Sequence, residues 1–309
     1  MNTFGVKSQA LFLLSIIVVV GSDPVSAAPD WIVSDRQSWM GPQGLALGGA
    51  LVAHDGRSDF IYSNPAAPSL EEKYTVGFGY GTAGDQLRAQ VADTKSSQLG
   101  GGISFSQRNI EDLTKFNDKA LGNYPRLEHS AVGTLMTKVS EKVGVGISAH
   151  HRYIRPRGVA LPSKSFLSGD VGVIVALSPE WRLGLAGLDL IADDTGYTHR
   201  TLSVGTAGNL GSGFMVLGQL DFVKAPEGNY DTGFIDANSS AALSLGAEYT
   251  ANAQFRLRGS YRTLPAWEQN YVGLGGGYMT DGVRIDYGVR FSPEDSKAQY
   301  HALSITVDI

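Results

Sequence analysis

The chain reads as all-β: a transmembrane antiparallel β-barrel of about fourteen strands with an N-terminal segment lodged in its lumen. Three observations carry that reading. From Lys73 onward apolar residues recur with period two, which puts successive side chains on opposite faces of a strand. Charged residues make up only 18% of the 309 residues while Gly is present 39 times, against about 25% charged in an ordinary soluble chain. Short and long connections alternate along the sequence, as they do between the two ends of an outer-membrane barrel.

Residues 1–27 have the form of a signal peptide, with Lys7 near the start, an apolar run from Ala10 to Val20, and Val25-Ser26-Ala27 as small residues for cleavage after Ala27. At about eleven residues the run is too short to span a bilayer, which needs about twenty. Beyond it no apolar run long enough for a helical span occurs.

Residues 28–72 break the period-two pattern and form a second unit. The strand-forming region is 73–309. Its clearest strand is the last, where Leu303, Ile305, Val307 and Ile309 share one face and Ala302, Ser304, Thr306 and Asp308 the other. The pattern recurs at Tyr74/Val76/Phe78/Tyr80, Val143/Val145/Ile147, Val171/Val173/Val175/Leu177, Leu243/Leu245/Ala247/Tyr249, Phe255/Leu257/Gly259/Tyr261 and Val283/Ile285/Tyr287/Val289/Phe291.

Turns fix registers. Asp281-Gly282 predicts a two-residue type I′ hairpin, pairing Thr280 with Val283, Tyr278 with Ile285, Gly276 with Tyr287, Leu274 with Val289 and Val272 with Phe291. A turn at Ser178-Pro179-Glu180 pairs Leu177 with Trp181, Val175 with Leu183 and Val173 with Leu185, leaving Trp181 in an aromatic girdle. A three-residue turn at Ala251 to Ala253 sets Glu248 opposite Arg256. Long connections are expected over 108–125, 154–164, 224–238 and 291–297.

Arg88, Arg152, Asp170, Asp221, Glu248, Arg256, Arg258, Arg284, Asp286 and Arg290 fall on the faces opposite the apolar ones. At a lipid-facing midplane such charges cost about 2 to 4 kcal/mol each, so they belong in the lumen. Glu248, Arg256, Arg258, Arg284, Asp286 and Arg290 are the candidate ladder there, either a selectivity feature for a polar solute or simple filling of the interior. Gly273, Gly275 and Gly277 form a bare inner stripe opposite Arg290, Gly288 and Asp286, over which long charged side chains have room to lie.

Other chemistry is sparse. Cys is absent, which excludes disulfides and thiolate metal sites. His150 and His151, adjacent on a strand, point to opposite faces and do not share a metal; exposed or interfacial positions are expected for them. A net charge of -5 with no basic run speaks against nucleic acid. Neither a nucleophile elbow nor a P-loop nor a zinc-protease motif occurs, so neither an enzyme nor a cofactor is expected.

The segment ahead of the barrel contains Gly48-Gly49-Ala50, Val52-Ala53, Asp55 and Asn64-Pro65-Ala66. In these residues it resembles the N-terminal signature of the long-chain fatty-acid transporter (FadL-like) barrels and their PorV-like relatives in type IX secretion. The tail from Gly273 to Ile309, with Ile285-Asp286-Tyr287-Gly288 and His301-Ala302-Leu303-Ser304, resembles the last three strands of the same group. The resemblance implies a fourteen-stranded barrel whose N-terminal segment folds back as a plug or hatch, with Asn64, Pro65 and Ala66 inside the wall beside Gly48 and Gly49 on the substrate pathway.

It also implies passive transport of small hydrophobic or amphipathic compounds across a bacterial outer membrane, with lipid outside and a hydrophobic ligand within. The alternative it implies is a closed barrel that docks secreted or envelope proteins.

Overall fold

A computed structural model describes residues 39–54, 59–82, 85–110, 125–158, 160, 162–191, 200–224, 240–252, 254–264, 269–293 and 299–309. The leader, Asp55 and the connections 111–124, 225–239 and 294–298 lie outside the described residues.

The described strands are β1 (Tyr74–Gly81), β2 (Gln86–Asp93), β3 (Leu99–Ile110), β4 (Arg126–Ser140), β5 (Val143–Pro156), β6 (Lys164–Ala176) and β7 (Trp181–Leu188). They continue as β8 (Arg200–Gly211), β9 (Phe214–Lys224), β10 (Ser240–Thr250), β11 (Phe255–Leu264), β12 (Gln269–Met279), β13 (Val283–Phe291) and β14 (Gln299–Asp308). Each pairs antiparallel with its sequence neighbour, and β1 pairs with β14 from Thr75↔Asp308 to Gly81↔Ala302, closing the barrel. Closure leaves no edge of unpaired N–H and C=O groups, the condition for strands to cross a membrane.

The two faces differ as the alternation requires. On β12 Leu274 is 49% exposed, while on β13 Asp286 is 0% exposed. Phe214, Tyr249, Phe255 and Tyr278 stand on the outer face near the end with the short turns. Trp181 begins β7, and its indole covers Gly208 across the β7–β8 pair, shielding a residue that has no side chain of its own.

The β12–β13 register is the expected one, from Tyr278↔Ile285 to Val272↔Phe291. The turn type differs. Gly282 alone has positive φ, at 82°, whereas type I′ needs it at both central residues; Asp281 keeps the negative φ that its Cβ favours. The β6–β7 register also follows expectation, with Val175↔Leu183 and Val173↔Leu185.

Between β10 and β11 the expected pairing is corrected. Glu248 faces Arg258, and Arg256 faces Thr250. The Asn252 Oδ1 accepts from the N–H of Gln254 and of Phe255 at 2.8 and 2.9 Å, which moves the apex one residue onward and slides the ladder by two. Strands β3 and β5 also run further than expected, to Ile110 and Pro156, taking Arg108 from a connection into the wall.

Ahead of β1 the chain folds inside the barrel. It holds a short helix, α1 (Pro42–Ala46), and two 3-10 turns, Phe60–Tyr62 and Ala67–Leu70. Pro42 starts α1 where its missing N–H is harmless. Trp39, Leu47, Leu51, Phe60, Ile61 and Tyr62 are buried, and with Val132, Met136 and Ile174 of the wall they form the main apolar cluster. The core of this protein is therefore a plug packed against the inner surface of a barrel.

Candidate functional site

The plug fits because the wall lacks side chains where the plug backbone touches it. A Cβ built on Gly184 would lie 2.0 Å from the Val52 carbonyl oxygen, one on Gly146 2.4 Å from that of Pro65, and one on Gly288 2.1 Å from that of Pro42. Along the inner stripe of β12, Gly273 meets the Leu45 carbonyl and Gly275 the Ala46 Cβ. The space expected to receive charged side chains is filled by α1; at Gly277 it is the Asp286 carboxylate that closes in.

Asn64 is stitched into both plug and wall. Its amide donates to the Val52 carbonyl at 2.7 Å and to the Val173 carbonyl of β6 at 3.1 Å, and its Oδ1 accepts from the Ala66 N–H at 3.0 Å. Pro65 holds the turn, and Ala66 is fully buried beside it. Gly48 and Gly49 reverse the chain after α1 with φ of 61° and 76°, a region that costs other residues roughly 1 kcal/mol or more.

Asp59 is a site residue that the sequence reading missed. Its Oδ1 accepts from Gly41 N–H at 2.8 Å and from Arg88 of β2 at 2.6 Å, while its Oδ2 accepts from Gly44 N–H at 2.7 Å. One buried carboxylate thus satisfies free N–H groups at the start of α1 and fastens the helix to the wall. A lone Asp in a segment without periodicity carries no sequence signal of this kind.

The luminal charges form connected groups. Glu248 meets Arg258 at 2.6 Å and Arg256 at 3.4 Å, Arg258 reaches Asp286 at 2.7 Å, and Arg284 meets Asp286 at 2.9 Å. Gln43 of α1 donates to the same Asp286 at 3.4 Å. Towards the end with the longer connections, Glu128 binds Arg126 at 2.7 Å and also Arg108. The Trp39 ring lies under the Arg108 guanidinium at 3.8 Å and near Arg152 at 5.2 Å.

Asp221 pairs with Arg262 at 2.9 Å and accepts from Gln219, whose own oxygen accepts from the Val52 N–H. His150, expected to be exposed or interfacial, is buried in the lumen and meets Asp170 at 2.5 Å. The alternation that sends His151 outwards sends its neighbour inwards. Arg290 lies over Tyr271 and Tyr300 and does not join the Asp286 group.

Between α1 and the β1–β14 seam lies a small cleft of about 10 Å³ bounded by Met40, Pro42, Gly79, Gly81, Gln86 and Arg88. One side is apolar and small, the other polar and anchored by the Asp59–Arg88 pair. A space of that size holds about one water molecule, so a larger solute enters only if the plug moves.

The barrel has solved counterparts. The toluene transporter TbuX of Ralstonia pickettii is similar to it with a TM-score of 0.64 and 12% identity, over 87% of this chain and 97% of TbuX. The monoaromatic hydrocarbon channel CymD gives 0.61 and 13% over 90% and 98%. A FadL homologue from Pseudomonas aeruginosa gives 0.60 and 11% over 87% and 98%. Neither a protein-family model nor a curated protein sequence matches the chain. In fold, the chain is similar to these transporters and channels, as a closed fourteen-stranded antiparallel β-barrel with its N-terminal segment inside.

Proposed function

We propose that the protein passes small hydrophobic or amphipathic compounds passively across a bacterial outer membrane, by local displacement of the plug. Residues 1–27 serve as a leader removed after Ala27, and residues 28–72 form the hatch.

The observation that carries this reading is the apolar plug itself. Trp39, Met40, Leu47, Leu51, Phe60 and Ile61 occupy a barrel interior whose wall carries arginines, carboxylates and hydroxyls beside an apolar patch at Val132, Met136 and Ile174. A water-filled pore for polar solutes gains nothing from this filling, whereas an apolar solute entering the lumen exchanges water for such side chains at little cost. The structural neighbours named as toluene and monoaromatic hydrocarbon transporters favour the same class.

In this reading Asn64, Pro65 and Ala66 form the hinge of the pathway on the β5–β6 wall. Gly48 and Gly49 let the preceding loop yield. The charges at Glu248, Arg256, Arg258, Arg284 and Asp286 hold the plug in place through the Gln43 contact with Asp286, and Arg290 stands apart from them over Tyr271 and Tyr300.

The test is uptake of labelled toluene by cells with and without the gene. Slower uptake in its absence, restored by a plasmid copy, supports the reading. Unchanged uptake contradicts it, and tight co-purification of envelope or secreted proteins with a sealed barrel would favour a docking role instead.

A further inference from the structure

Arg290 differs from its luminal neighbours. Arg88, Arg108, Arg126, Arg256, Arg258, Arg262 and Arg284 each face a carboxylate at 3.4 Å or closer. Arg290 is 5% exposed and, among the described residues, has ring contacts in place of an acid, with its guanidinium carbon 4.7 Å from the centre of Tyr271 and 5.4 Å from that of Tyr300. Its Nε, like that of Arg256 and Arg262, has no hydrogen-bond partner among the described residues.

Burying a guanidinium without a counterion is costly, and two ring faces return only part of that cost. The surroundings match an organic body. Tyr300 packs with Leu45, Ile110 and Ala302, and Tyr271 packs with Ala242. Arg290 is the residue before the end of β13, and across the ladder it faces Gly273 and Tyr300. It therefore sits at the end of the barrel with the longer connections.

We propose that Arg290, Tyr271 and Tyr300 form a subsite for the carboxylate of an aromatic or similarly planar organic acid. The planar fork of Arg290 takes the carboxylate in two parallel hydrogen bonds, and the tyrosine rings and neighbouring apolar side chains take the body. The proposal deepens the transport reading and rests on it for the route by which the ligand arrives.

Benzoate and toluene are the probes, similar in body and different in charge, and binding is measured by calorimetry on the purified full mature chain in detergent. The wild type should bind benzoate more tightly than toluene, and added salt should weaken benzoate alone. Arg290→Met should weaken benzoate at least tenfold, leave toluene within twofold, and not lower the unfolding temperature, because it removes a buried charge that has no counterion among the described residues. Arg290→Lys should restore part of the benzoate affinity, and it carries the test if the Met variant does not fold.

Benzoate affinity that is absent in the wild type, or equal in wild type and both Arg290 variants, overturns the subsite. Toluene uptake that depends on the protein together with such a result overturns the subsite alone. Arg290-dependent benzoate binding without protein-dependent toluene uptake supports the subsite and overturns the transport reading.

Discussion

Asp59 and Arg88, twenty-nine residues apart, meet at 2.6 Å inside the barrel, and the same carboxylate holds the backbone N–H groups of Gly41 and Gly44. The pair makes the start of α1 part of the β2 wall. A buried pair of this kind is far more costly to break than to omit, since one partner left alone is an uncompensated charge.

Asp59→Ala should therefore destabilise the plugged state by about 3 to 5 kcal/mol, while the double variant Asp59→Ala/Arg88→Leu should lose clearly less. Urea unfolding from lipid vesicles, followed by tryptophan fluorescence, reads both. A double variant as damaged as the single one would show that the charge pair is not what fastens the helix.

Replacing Gly288 by Leu should evict α1 and leave the barrel intact. The added Cβ alone meets the Pro42 carbonyl at 2.1 Å, and backbone cannot yield as a flexible side chain can. The expected result is unchanged β-sheet circular dichroism with new proteinase K cleavage within residues 39–54. Full protection of the segment would contradict the fit between plug and wall.

Asn64→Ala removes three hydrogen bonds and leaves the buried Val52 carbonyl without its amide donor. The cost should be about 1 to 3 kcal/mol, seen as a lower temperature for conversion from the compact to the unfolded band on electrophoresis. Asn64→Asp, which keeps the acceptor but loses the amide donor, should be no better.

The lipid-facing and luminal faces should respond oppositely to charge. Leu274→Arg, at a position half exposed on the outer face of β12, should cost about 2 to 4 kcal/mol in a bilayer. Arg258 on the inner face already carries that charge at little cost, because Glu248 and Asp286 meet it there. Stability of both sequences in the same vesicles checks the assignment, and an unaffected Leu274→Arg would place that face away from lipid.

The wall was legible in the sequence because lipid and lumen impose opposite polarity on alternate residues, so Leu303, Ile305 and Val307 announce one face and Asp286 and Arg290 the other. Asp281-Gly282 pinned a register because its two-residue loop has one apex. The turn after β10 was harder, since a three-residue loop can be centred in two ways and the choice lies with the Asn252 side chain.

The plug was legible only as a break in the period and through its likeness to a family signature. The bare stripe at Gly273 and Gly275 showed where side chains were missing but not that α1 would fill the space. The Asp59–Arg88 contact joins a turn to a strand with nothing local to mark it, and His150 was misplaced by judging the pair His150-His151 together.

Single-channel conductance in planar bilayers tests the central claim most directly, comparing the mature chain with one lacking residues 29–66. The plugged barrel should be nearly silent, and its shortened form should show large, steady openings. Equal conductance from both would mean that this segment does not close the lumen and would overturn the account.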